Sequence, residues 1–109
     1  GVYGNLLKTA HAADLEYLCP APLDDDMVDD LNWLAAAVFR VTGALDVARI
    51  DFRLDVNDNL KPYILEINPL PGLMPKLSDI VIEAEADGIS HTELVNMILN
   101  TAMHRYGLI

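Results

Sequence analysis

Hydrophobic and polar positions alternate in two distinct rhythms along this chain. From Asp24 the apolar residues recur at helical spacing: Met27, Leu31, Leu34 and Val38 form one stripe, with Val28, Ala35, Phe39 and Thr42 beside it. The acidic run Asp24-Asp25-Asp26 suits a helix N-terminus, and Gly43 suits its end. The rhythm then changes to alternation. Residues 46–54 and 63–68 read as the two strands of a hairpin, joined through Asn57-Asp58-Asn59, which tolerate turn conformations. A Pro-rich loop from Pro69 to Pro75 comes next. A short helix is expected from 78 to about 87, stopped by Gly88. A last helix has a capping box in Ser90 and Glu93, a staple in Ile89 and Leu94, and Gly107 at its end. Near the start, residues 2–8 read as a strand remnant and residues 9–23 as loop, with Pro20 and Pro22 stopping regular structure. The expectation is one α+β domain over residues 1–109, a hairpin with three helices packed on it.

The hairpin carries the candidate chemistry. Side chains alternate faces along a strand, so Arg49 and Asp51 share a face, as do Glu66 and Asn68. A turn centred between Asp58 and Asn59 opposes Asp51 to Glu66 and Arg49 to Asn68. Two opposed carboxylates repel unless a cation lies between them. Two carboxylates, a carboxamide and a guanidinium make a hard-oxygen site of the kind that Mg²⁺ and a polyphosphate require. Ile50, Phe52, Ile64, Leu65 and Ile67 are expected to supply the buried face. The bland alternative is that the polar four are merely solvated.

Composition narrows the classes. The chain has 109 residues, an apolar fraction of 52% and a net charge of −10 from 17 acidic and 7 basic side chains. That charge argues against a nucleic-acid backbone or an anionic membrane as partner, and is compatible with metal binding. The single Cys19 excludes an internal disulfide and a multi-Cys zinc site, and points to a reducing cytoplasm. Cys19 reads as a packed thiol. No signal peptide or 18-residue apolar run is visible, and Gly1 is not a natural start, which suggests a piece of a larger polypeptide. A second metal reading is Asp55-x-Asn57-x-Asn59 with Glu66 in twelfth place, as in a calcium loop; Leu60 in place of Gly, Pro62 and strand-like flanks oppose it. His11, His91 and His104 have no mutual ligand spacing, and the last two read as solvated.

Arg49-x-Asp51…Glu66-x-Asn68-x-x-Pro71-Gly72 resembles the metal-binding end of ATP-grasp carboxylate–amine ligases, and more narrowly the D-alanine–D-alanine ligases. Tyr17-Leu18-Cys19-Pro20-Ala21-Pro22-Leu23, Ala86-Asp87-Gly88-Ile89-Ser90 with Leu94, and the order of elements support the narrower match. The resemblance covers nearly the whole chain but only the C-terminal part of the family. It implies a partial ATP-grasp domain in which Asp51, Glu66 and Asn68 hold two Mg²⁺ (or Mn²⁺) ions. Lys8 would reach the ATP phosphates. Arg49 and the Gly72 N–H would be the catalytic groups that stabilise an oxyanion, and Gly72 and Ser78 would contact substrate. The implied reaction joins two D-alanines through an acyl phosphate, for peptidoglycan precursors in a bacterial cytoplasm. The implied partners are ATP, D-alanine or a similar amino or hydroxy acid, an N-terminal part of the same polypeptide, and a second copy in a homodimer. Two departures bear on this. Ser78 stands one residue past the family spacing, where Leu77 falls, so either the loop has an insertion or Ser78 is only a helix N-cap. Thr9 replaces an aromatic residue that helps set the second substrate. Another ATP-grasp ligase, or a non-catalytic acidic metal-binding domain, is the alternative.

Overall fold

The computed structural model describes residues 21–109 in full and the backbone of residues 7–11 and 14–18. The element order is β1 (Leu7–His11), β2 (Asp14–Leu18), α1 (Asp25–Val41), β3 (Arg49–Asp55), β4 (Lys61–Asn68), α2 (Asp79–Ala86) and α3 (His91–Arg105). Among the described residues, two antiparallel two-stranded ladders, β1–β2 and β3–β4, accompany three helices.

The first ladder corrects the expected loop over 9–23. Strand β1 pairs with β2 from Leu7↔Leu18 to His11↔Asp14. In the sequence, Ala12-Ala13 between these strands carries none of the Gly, Asn or Asp signals of a tight hairpin. The prolines that seemed to exclude regular structure lie beyond the end of β2 at Leu18. Cys19 and Pro20 lie outside the described residues.

Local chemistry accounts for the helices. Asp24 caps α1, its Oδ1 accepting from the Met27 N–H at 2.8 Å. Ser90 caps α3 in the same way, its Oγ accepting from the Glu93 N–H at 3.2 Å. All three helices close on a glycine in left-handed conformation, at Gly43, Gly88 and Gly107. In each case the two residues after the cap return N–H groups to carbonyls of the last turn. For α2 these are Gly88 N–H to Glu85 O at 3.0 Å and Ile89 N–H to Ala84 O at 2.8 Å.

Helix α1 packs on β4, and α2 packs on α3. The apolar side chains enclosed among the described residues are Leu31 on α1, Pro71 in the loop after β4, and Ile80, Val81 and Ala84 on α2. Much apolar surface stays in solvent, including Trp33 at 71% exposure. Among the described residues no helix is long and apolar enough to cross a membrane.

Candidate metal and phosphate site

The β3–β4 ladder has the expected register where it matters. Arg49 opposes Asn68 and Asp51 opposes Glu66. Past Asp51 the register shifts, and Phe52 opposes Ile64, so Leu65 is the extra residue of a β-bulge. This corrects the expected buried face. Ile50, Phe52 and Ile67 are half-buried, but Leu65 is 61% exposed and Ile64 is exposed as well. Adjacent residues of a pleated strand point to opposite faces, so Ile64 and Leu65 had no common face to share. A bulge at the edge of a polar site re-aims the strand locally.

The guanidinium of Arg49 lies between the opposed carboxylates. Its Nε donates to Asp51 Oδ1 at 3.0 Å and its Nη2 to Asp51 Oδ2 at 3.2 Å, a bidentate pair. Nη2 also donates to Glu66 Oε1 at 3.4 Å. The chain thus supplies its own cation to relieve the cross-strand repulsion. Asp51, then Asp79 and Glu66, hold the Arg49 proton more tightly than usual, so this charge is permanent. Asn68 completes the face. Its Oδ1 accepts from the Leu70 N–H at 3.0 Å and turns the chain into the following loop.

Two further acidic residues, both on α2, bear on this face. Asp79, 16% exposed at the start of α2, reaches Arg49 Nη1 at 4.0 Å. One turn further along α2 is Glu83, whose carboxyl is pushed up to about 7, chiefly by burial and next by the negative charge of Asp79. In the sequence both look like ordinary helix-surface charge. Their i, i+4 spacing was the available signal, and it becomes informative only once Asp79 is seen to reach Arg49 of the hairpin.

The loop after β4 brings Gly72 and Ser78 together. A Cβ added at Gly72 would stand 2.9 Å from Ser78 Oγ. Ser78 occupies the N-cap position of α2, yet its hydroxyl makes no cap bond. It accepts instead from the Met74 N–H at 2.7 Å. His91, expected to be solvated, is half-buried, and its Nε2 donates to the Leu73 carbonyl at 2.7 Å. The calcium-loop reading fails on its flanks, which are strands. Asp55 Oδ1 there accepts from the Asn57 N–H at 2.9 Å, an ordinary turn bond. Lys8 lies on β1 opposite Tyr17; its side chain is outside the described residues.

The family described as D-ala D-ala ligase C-terminus matches residues 2–100. This chain belongs to that family. A D-alanine–D-alanine ligase of Nitrosococcus oceani is 38% identical over 95 residues, 87% of this chain and 29% of that protein. The D-alanine–D-alanine ligase of Herminiimonas arsenicoxydans is 37% identical over 89 residues, 82% of this chain and 26% of its own length. An uncharacterized protein of Sinorhizobium fredii is 39% identical over 88 residues, 81% of this chain and 25% of that protein. The chain therefore spans less than a third of the length of these relatives.

For a member of the D-ala D-ala ligase C-terminus family, the donor set fits a hard divalent cation. Asp51, Glu66 and Asn68 offer oxygen only, and Asn68 Oδ1 keeps a second lone pair beyond its bond to Leu70. Among the described residues no group of three or more His, Cys, Asp and Glu gathers, so the set depends on its carboxamide. A positive charge already resides between Asp51 and Glu66, in the form of Arg49.

Proposed function

We propose that residues 1–109 are the C-terminal, metal-holding part of an ATP-grasp domain in a D-alanine–D-alanine ligase. The enzyme works in the bacterial cytoplasm on peptidoglycan precursors. The observation that carries this reading is the facing pair Asp51 and Glu66 with Arg49 between them, in a chain of this family. The N-terminal part of the same polypeptide holds the rest of the ATP site.

In this reading Asp51, Glu66 and Asn68 hold two Mg²⁺ or Mn²⁺ ions. Bound there, the ions neutralise charge on the ATP phosphates. Lys8 adds a further positive charge toward those phosphates. The first D-alanine carboxylate takes the γ-phosphoryl group; an O–P bond forms as the bond to ADP breaks. The amine of a second D-alanine, or of a similar acceptor, then attacks the acyl carbon. A C–N bond forms, the C–O bond to phosphate breaks, and the amine's proton passes to solvent. Arg49 and the Gly72 N–H stabilise the oxyanion of that step. Ser78 donates a hydrogen bond from its hydroxyl to the acceptor's carboxylate.

Metal preference tests the site. Calorimetric titration of the full-length polypeptide should show Mg²⁺ or Mn²⁺ binding that tightens about tenfold with ATP. Binding selective for Ca²⁺ and indifferent to nucleotide would contradict the reading.

A further inference from the structure

We infer that His91 is a positioning residue for the loop that carries Gly72. The inference rests on the ligase reading for its consequence and on two hydrogen bonds for its geometry. The peptide unit that joins Leu73 to Met74 is gripped at both ends. Its carbonyl accepts from His91 Nε2 at 2.7 Å, and its N–H donates to Ser78 Oγ at 2.7 Å. The two anchors come from different helices: His91 is the first residue of α3, and Ser78 is the N-cap of α2. A peptide unit is planar, so fixing both its polar ends fixes its orientation.

Burial does not do this work. Leu70, Leu73, Met74 and Leu77 all leave much of their side chains in solvent. On the other side of Gly72, Pro71 is buried. Gly72 therefore sits between a packed proline and a clamped peptide. The direction of its N–H, the proposed oxyanion donor, follows from those two fixed points. The clamp also sets Ser78. By accepting from Met74, the hydroxyl keeps its own proton for an anionic ligand. A carbonyl only accepts, so Nε2 carries the proton, and imidazole provides that N–H whether neutral or charged.

The test compares His91→Phe and His91→Gln in the full-length polypeptide. Phenylalanine keeps a planar ring and removes the donor; glutamine restores an N–H. In His91→Phe, kcat for dipeptide formation should fall about tenfold or more while KM for ATP stays within about twofold. Exchange of the Met74 amide hydrogen should quicken about fivefold or more. His91→Gln should recover most of both. Wild-type turnover in His91→Phe, or equal loss in both variants, overturns the inference. So does a loss confined to thermal stability. If wild type makes no dipeptide, the ligase reading fails separately. The Met74 exchange rate then decides the clamp: unchanged protection in His91→Phe overturns it.

Discussion

Arg49 and Gly72 show how single residues set this site. Arg49 donates to both Asp51 and Glu66, so the hairpin tolerates a facing pair that would otherwise repel. At Gly72 the missing side chain is required by one atom, Ser78 Oγ, which would stand only 2.9 Å from a Cβ. Gly72→Ala should cost about 1–2 kcal/mol by forcing that hydroxyl off the Met74 N–H. Ser78→Ala removes the same hydrogen bond and should cost about 1 kcal/mol. The double variant should be no worse than Ser78→Ala alone, because the clash is then gone. Urea denaturation of the three variants measures this. Additive losses would mean that Gly72 answers to something other than Ser78. The shared polar face was legible in the sequence because alternation puts Arg49 with Asp51 and Glu66 with Asn68. The Asp51–Glu66 facing also needs the bulge, since the turn centres on Asp58 and the pairs beside it are one residue off the expected register. The partners of Ser78 and His91 were not legible. Their hydroxyl and imidazole bond to loop backbone whose path no local pattern dictates.

At the scale of elements, the β3–β4 connection and helix α2 each store a measurable cost. Leu60 holds a φ of +60°, a conformation that disfavours residues with a Cβ. Leu60→Gly should raise stability by up to about 1 kcal/mol, offset in part by glycine's looser unfolded chain. A lower urea midpoint in that variant would contradict the assignment of strain. On α2, Glu83 binds its proton up to about pH 7 in the folded state, well above the ordinary carboxyl value of 4.5. The folded state thus holds more protons than the unfolded one between those values. The protein should lose stability on this account as pH rises from about 4.5 through 7. Glu83→Gln should stabilise by about 2 kcal/mol at pH 8 and by almost nothing at pH 4. Equal effects at both pH values would mean that Glu83 ionises normally. Helices α1, α2 and α3 were legible because their glycine stops, and the caps of α1 and α3, are local. The β1–β2 ladder and the Leu65 bulge escaped because Ala12-Ala13 and Ile64-Leu65 break no local rule. The bulge belongs to strand pairing and to the polar site beside it.

At the scale of the molecule, the enclosed side chains among the described residues are few and the acidic charge is large. The chain covers less than a third of the relatives it resembles. In the proposed enzyme its oxygen face and its Gly72 loop would be two parts of an active site that the N-terminal part of the polypeptide completes. The 109-residue chain by itself should therefore make no dipeptide from ATP and D-alanine, as product analysis by mass spectrometry would show. The central claim is best tested in the full-length polypeptide, by D-alanine-dependent phosphate release from Mg-ATP with the product identified by mass. D-alanyl-D-alanine should form in wild type and fall by a factor of about a hundred or more in Glu66→Gln, which keeps the side-chain shape and removes the charge. ATP turnover with only another acceptor, or an undiminished Glu66→Gln, would contradict the account.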